Sequence, residues 1–272
     1  MRSHKTVKFI SFLLIFILLL TVWYWVPVTE RMTLELSENG PVGLRIALIT
    51  DLHSCYYGSG QRSLINRIDS EEPDIIVLSG DIFDDKLSDD NAKLLFEALV
   101  TRYPCYYVTG NHEYWSGRAE LMKEYLKGIG VCVLEGECVT VEENGRQIDI
   151  CGVDDPTYMS DSSWKEQIDK AYSETDPFHV RILLSHRPEK VYVYEEYDFD
   201  LILTGHAHAG QFRIPFINRG LFAPDQGFMA SYVNGKYELS NGSVMIVSRG
   251  LARESTPLPR YFNHPEIVII NI

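Results

Sequence analysis

The sequence predicts an α/β domain preceded by one membrane-spanning helix, and three observations carry that reading. An uncharged apolar run fills residues 9–28. Short apolar runs then recur, each ending in a polar loop rich in Gly, His or Asp. Helical stretches follow several of these loops, and strands alternating with helices indicate an α/β architecture.

The N-terminal run, FISFLLIFILLLTVWYWVPV, has the length of about 20 residues needed to cross a ~30 Å hydrocarbon core. Arg2, Lys5 and Lys8 precede it, and Trp23, Tyr24 and Trp25 stand where an interfacial aromatic belt would lie. A cleaved signal peptide has a shorter apolar region and small residues at its cleavage site, whereas VPVTERM offers none. Residues 1–28 therefore read as a basic N-terminus and a retained anchor. The basic flank keeps that end in the cytoplasm, so the expected location is a single-pass protein of the cell membrane with its body on the extracytoplasmic side. Residues 29–43 read as a connector with a possible first strand, MTLEL, closed by the turn signal Asn39-Gly40-Pro41.

Residues 44–272 form the body. LRIALIT leads to Asp51-Leu52-His53, DIIVLSG to Asp81, CYYVTG to Asn111-His112-Glu113, VRILLS to His186, and FDLILT to Gly205-His206-Ala207-His208. Runs of this length bounded by turns suit buried strands, and residues 90–101, 117–129 and 162–174 suit helices. Beyond residue 211, SYVNGKYEL and SVMIVSR are flanked by Asn234-Gly235 and Asn241-Gly242 and resemble hairpin strands.

The net charge is −13, and residues 1–28 contribute three positive charges and no acid, so the body is more acidic still. Such a body repels a phosphate backbone, which argues against broad nucleic-acid binding. It can act on a phosphate only where bound cations reverse the local field. The five cysteines, Cys55, Cys105, Cys132, Cys138 and Cys151, form no CxxC pair and allow at most two disulfides, whose partners the sequence does not choose.

The chain has 8 histidines, and His53, His112, His186, His206 and His208 each lie just after an expected strand. In open α/β sheets that is where ligands bind. Asp51 and His53, and likewise His206 and His208, stand at i and i+2, on one side of an extended segment, where both can reach one ion. Each piece alone has a plain alternative: a capping Asp, a Gly-Asp turn, a structural His. In chain order they are far more specific. DxH, GDxxD, GNHE, a lone His and GHxH, each after its own strand, resemble the calcineurin-like metallophosphoesterase superfamily over residues 44–272. Gly205–Gln211 (GHAHAGQ) and the tail SRGLARESTPLPRYFNHPEIVII further resemble the bacterial branch of membrane-anchored or exported phosphodiesterases. The departures are Ala207 and Ala209 where that branch more often reads GHTHGGQ, and Ala252 in place of the last glycine of GLG.

The resemblance implies a four-layer α/β/β/α sandwich and a two-metal centre. Asp51, His53 and His208 would hold one ion, Asn111, His186 and His206 the other, and Asp81 would bridge them. Nitrogen and oxygen ligands without thiolate suit Mn, Fe, Zn or Co, with Mn favoured. A hydroxide bridging the ions would attack the phosphate ester. His112 would face the substrate, with Asp84 orienting it, while Arg187, Arg213 and Arg253 are further candidates for phosphate contact. The expected activity is phosphoester hydrolysis, on diesters before monoesters, with a substrate that could be lipid or envelope derived. A phosphomonoesterase or nucleotide pyrophosphatase of the same fold is the alternative. A silent metal- or lipid-binding domain is the third reading, disfavoured because no expected ligand is missing.

Overall fold

Alternation along the strands decides the layering. In β2 (Arg45–Ile49) and β3 (Ile75–Ser79), Ala47, Ile49, Ile76 and Leu78 point to one side, and Ile46, Leu48, Ile75 and Val77 to the other. The first set packs under helices α1 (Arg62–Asp69), α2 (Asp90–Val100) and α4 (Ala119–Ile129). The second set meets Ile148 and Ile150 of β7 (Arg146–Gly152) and Ile182 and Leu184 of β8 (Val180–Leu184), from a second sheet. That sheet's outer face carries Cys151, Leu183 and Ile202, covered by helix α5 (Asp161–Ser173) and the short α6 (Val191–Tyr194). Strands buried on both faces lose the hydrophobic-polar alternation of a solvated sheet, which is why these runs read as continuously apolar.

The computed structural model describes residues 25–36, 41–213, 220–255 and 260–272, together with Phe9, Ser11 and Phe12. It is a helix–sheet–sheet–helix sandwich, as the four-layer expectation required. The first sheet has the order β1-β14-β2-β3-β4-β5, where β1 is Val28–Thr33, β4 Cys105–Val108, β5 Cys132–Val133 and β14 Glu266–Asn271. The second runs β12-β13-β9-β8-β7-β6, with β6 Glu137–Glu143, β9 Leu201–Thr204, β12 Gly235–Glu238 and β13 Val244–Val247. In the first sheet β2, β3 and β4 are parallel neighbours, and in the second β7, β8 and β9 are. Each parallel trio therefore delivers its carboxyl ends to one edge of its sheet.

The expected helices appear within two residues of their bounds, and α5 shows why. Ser160 caps it by accepting a 3.1 Å hydrogen bond from Ser163 N, and Trp164, Ile168 and Ala171 form its buried stripe. The expected C-terminal hairpin is β12–β13. Two features differ from expectation. The first strand is β1, Val28–Thr33, which begins four residues before MTLEL and shares only Met32 and Thr33 with it, because its parallel register with β14 pairs Val28 with Glu266 through Thr33 with Asn271. Leu34 and Leu36 lie beyond it and pack into the core between the sheets. A hairpin, β6–β7, also stands where no strand pair was expected. Cys138 and Cys151 oppose each other across it and form a disulfide, while Cys55, Cys105 and Cys132 are free thiols. Among the described residues no helix is long and apolar enough to cross a membrane. The expected span over 9–28 lies outside the described residues except at 9, 11, 12 and 25–28.

Candidate metal centre

Five strands end at one place. The loops after β2, β3 and β4 bring Asp51, His53, Asp81 and Asp84, and α3 (Asn111–Trp115) begins with Asn111 and His112. From the second sheet, β8 leads to His186 and β9 to His206 and His208. Asp51, His53 and His208 can each direct a ligand atom to a common point, and so can Asp81, His186 and His206. Between these triads, Asp81 Oδ2 lies 3.1 Å from His186 Nε2 and 3.7 Å from His53 Nε2. Asp51 Oδ1 is 3.6 Å from His208 Nε2 and 3.9 Å from His186 Nε2. Six of the seven expected ligands thus meet, with Asp81 in the middle, and Asn111 lines the cavity beside them.

Several inward-facing polar atoms make no hydrogen bond, although His206 Nε2 faces Asp225 Oδ2 at 3.0 Å. His53 Nε2, Asp81 Oδ2, Asn111 Oδ1 and His186 Nε2 are all buried without a hydrogen bond. Each such atom costs about 1–3 kcal/mol unless something satisfies it. The other side of each ring is fixed. His186 Nδ1 donates to the Ser79 carbonyl at 2.9 Å, and His53 Nδ1 faces Asp84 Oδ2 at 3.2 Å. Both contacts place a ring proton on Nδ1 and turn Nε2 toward the cluster, the arrangement that orients metal-ligating imidazoles. A donor set of nitrogen and carboxylate or amide oxygen, orphaned on its inner side and anchored on its outer, fits two divalent cations.

Charge follows the same pattern. Burial works against the Asp81 carboxylate, but the His186 charge and contact hold it well below its usual range. Burial would likewise lower His186, yet the charge of Asp81 raises it to about 10. His208 stays neutral: burial depresses it strongly, and His53 and Arg260 add to the effect. A cation entering between Asp81 and His186 must therefore displace a proton.

The backbone is strained at these residues. Asp51, His53, Asp81, His206 and His208 have φ of 50°, 48°, 53°, 63° and 46°, the left-handed region that non-glycine residues rarely enter. Strain of this kind persists where surrounding structure over-determines it, and it clusters at functional sites. Ala209, where the resembling branch has glycine, is also left-handed at φ 52°. Two glycines make room for Asp51. A Cβ on Gly205 would lie 2.5 Å from Asp51 Oδ2, and one on Gly250 would lie 2.5 Å from Asp51 Cβ. Gly250 also holds φ +69°, so Gly250→Ala combines a strained backbone with a displaced ligand. It is expected to cost about 2 kcal/mol or more in a denaturant titration and to reduce bound metal. A variant of wild-type stability with full metal content would show that Asp51 tolerates displacement.

His112 points elsewhere. Its Nδ1 lies 2.7 Å from Asp85 Oδ1 and 3.5 Å from Asp84 Oδ2, and its ring lines a cavity of about 370 Å³ over the cluster. Burial would lower this imidazole, but the Asp84 contact and the charges of Asp81 and Asp84 raise it to about 9. Asp84, expected to orient His112, is thus the nearer partner of His53, and Asp85 is the nearer partner of His112. The same cavity is lined by Lys86, Trp115, Gln211, Phe222 and Pro224, and not by Arg187, Arg213 or Arg253.

Arg187 is committed to the protein: Nε donates to Asp155 Oδ2 at 2.5 Å and Nη2 to Asp155 Oδ1 at 3.0 Å. It also reaches Asp225, whose Oδ2 lies 3.0 Å from His206 Nε2. Arg253 lies over the Tyr57 ring, 3.9 Å from its centroid, and Arg213 lines a separate cavity beside Glu30 and Glu266. Sequence reasoning missed Asp85, Asp155, Asp225 and the role of Glu113. The Glu113 carboxylate accepts from the backbone N–H of Asp81, Phe83 and Gly110 at 3.0, 3.0 and 2.8 Å, tying the Asp81 loop to the Asn111 helix.

Known proteins are similar to this chain in sequence and fold. An uncharacterised metallophosphoesterase of Helicobacter pylori strain J99 is 30% identical over 233 residues, covering 84% of this chain. The chain spans 60% of that relative's length. The phosphodiesterase YaeI of Escherichia coli is 28% identical over 202 residues, 71% of each chain. Among solved structures, a dimetal phosphatase from Danio rerio superposes with a TM-score of 0.53 at 14% identity, over 85% of this chain and 99% of that one, a likeness of fold. Residues 44–210 match the calcineurin-like phosphoesterase family, and the chain belongs to it.

Proposed function

We propose that the protein hydrolyses phosphate esters, diesters before monoesters, at a two-metal centre. Asp51, His53 and His208 would hold one ion, Asn111, His186 and His206 the other, with Asp81 shared between them. The observation that carries this reading is the convergence of orphaned inner atoms on Asp81 Oδ2, with the rings on either side fixed by Ser79 and Asp84. Bound cations, Mn, Fe, Zn or Co by this nitrogen–oxygen set and Mn in this proposal, would supply Lewis acidity and an activated water. The protein's own residues do the rest. Asp51 and Asp81 hold negative charge at the centre, and His112, on Asp85 and Asp84, presents its free ring nitrogen to the departing oxygen. Metal analysis of active protein should find two ions per chain, and chelation should abolish hydrolysis of a chromogenic diester. One ion or none in active protein would reject the two-metal centre.

We also propose that residues 9–28 anchor the chain and leave the body outside the cytoplasm. The uncharged run, the preceding Arg2, Lys5 and Lys8, and the Cys138–Cys151 bridge, which suits an oxidising compartment, support this placement. Protease added to intact cells should remove the body, and full protection while the cytoplasm stays sealed would overturn the topology.

A further inference from the structure

The cavity over the cluster has two unlike kinds of lining. Its polar lining is five of the expected ligands (His53, Asp81, Asn111, His206 and His208) with Lys86, His112, Gln211 and Ser255, and its carbon lining is Trp115, Ala207, Phe222 and Pro224. Trp115 is 52% exposed, Phe222 60% and Phe228 71%. Single exposed aromatics are ordinary, but Trp115 and Phe222 at one cavity, with Phe228 paired to Phe222, mark a binding surface.

The chain fixes these side chains relative to the cluster. Trp115 stands one helical turn after Asn111 and His112, and its ring lies 4.8 Å from that of His112. Phe222 is placed by a backbone contact. A Cβ on Gly220 would meet the Cα of Gly210 at 2.5 Å, so only this glycine pair lets the chain before Phe222 lie against the turn that follows His208. Phe222 then pairs with Phe228 across the ladder formed by β10 (Phe222–Ala223) and β11 (Gly227–Phe228). Residues directly opposite in a ladder share a face, so Phe228 extends the wall that Phe222 begins.

A phosphate held by the cluster must lay one of its ester substituents along this wall. A sugar or a small polyol would bury hydroxyls against carbon without partners, which is unfavourable, whereas each methylene of an aliphatic chain gains by leaving water. We propose that the substrate is a phosphodiester bearing a long aliphatic substituent, a lipid phosphate, whose chain lies on Trp115, Phe222 and Phe228. This substrate class rests on the phosphoesterase reading above.

The test uses the full chain loaded with Mn and three p-nitrophenyl phosphodiesters whose second substituent is methyl, butyl or octyl, each below its micellar concentration. The p-nitrophenyl ester of thymidine 5′-phosphate forms a fourth arm. In every case the oxygen of water joins phosphorus, the bond to p-nitrophenolate breaks, and the second substituent stays on the phosphate. The leaving group is therefore constant while the apolar substituent varies. We expect kcat/KM to rise about threefold per methylene over the first few, hence more than tenfold from methyl to butyl. Phe222→Ser and Phe228→Ser, at exposed positions that leave the core intact, should each reduce the octyl-to-methyl ratio of kcat/KM several-fold. Equal rates for methyl and octyl esters would overturn the aliphatic subsite while leaving the phosphoesterase reading in place. So would an unchanged ratio in both Phe variants, or a thymidine ester preferred over the octyl ester. Turnover of none of the esters by protein carrying two ions would instead reject the phosphoesterase reading itself.

Discussion

Asp81→Asn is expected to cut hydrolysis of a chromogenic diester by about 10³-fold or more, because several kcal/mol of transition-state stabilisation depend on both ions. The asparagine keeps the shape of the residue, so the contact in which His112 N donates to Asp81 Oδ1 at 2.8 Å can persist. What it removes is the negative charge between two cations that repel one another. Asp81 Oδ2 is also the one carboxylate oxygen close to both His186 Nε2, at 3.1 Å, and His53 Nε2, at 3.7 Å, so its loss weakens both sites. Asn111→Ala, by contrast, touches one site and should release one ion while the other remains. Metal analysis alongside activity separates the two variants: fewer than two ions with Asp81→Asn, near one with Asn111→Ala. An Asp81→Asn protein that keeps two ions and acts within tenfold of wild type would place the bridge elsewhere.

How much of this was legible in the sequence depends on how local the signal is. His53, His186, His206 and His208 were legible because each follows a run of buried strand residues, and the parallel trios carry those ends to one edge. Asp155 and Asp225 were not. They meet Arg187 from 32 and 38 residues away, and the chain has 38 acidic residues among which nothing local marks these two. Asp84 and Asp85 are adjacent, so choosing the partner of His112 required the loop's path. The β6–β7 hairpin did carry a local signal in Asn144-Gly145, whose φ values of 52° and 76° suit a type I′ turn. Its strand ECVTVEE is only partly buried and bears acids, so it lacks the apolar run by which the other strands were found. The Cys138–Cys151 pairing follows from that hairpin's register and was out of reach without it. The left-handed backbone at Asp51, His53, Asp81, His206 and His208 is imposed by packing, since local preference would place none of them there.

His112→Gln should slow turnover by about 10²–10⁴-fold while leaving two ions in place. His112 follows Asn111 but lines the cavity, and its Nδ1 is held by Asp85 at 2.7 Å, so its second nitrogen is the one available to substrate. The carboxylates of Asp84 and Asp81 keep the imidazole protonated, with a pKa raised to about 9 despite burial. Bound cations oppose that effect, and Asp85 and Asp84 supply the charge that offsets them. A protonated imidazole can serve as a general acid or as a fixed positive charge, and the leaving group distinguishes these roles. An alkyl alkoxide departs poorly without a proton, so alkyl esters should show the larger deficit. A nitrophenolate departs readily, so its esters should lose less. An equal deficit on both would assign His112 to charge stabilisation on the phosphoryl oxygens instead. Loss of an ion from the variant would make His112 a ligand, and the cluster of Asp81, His53 and His112 that shares a common point shows where that ion would sit.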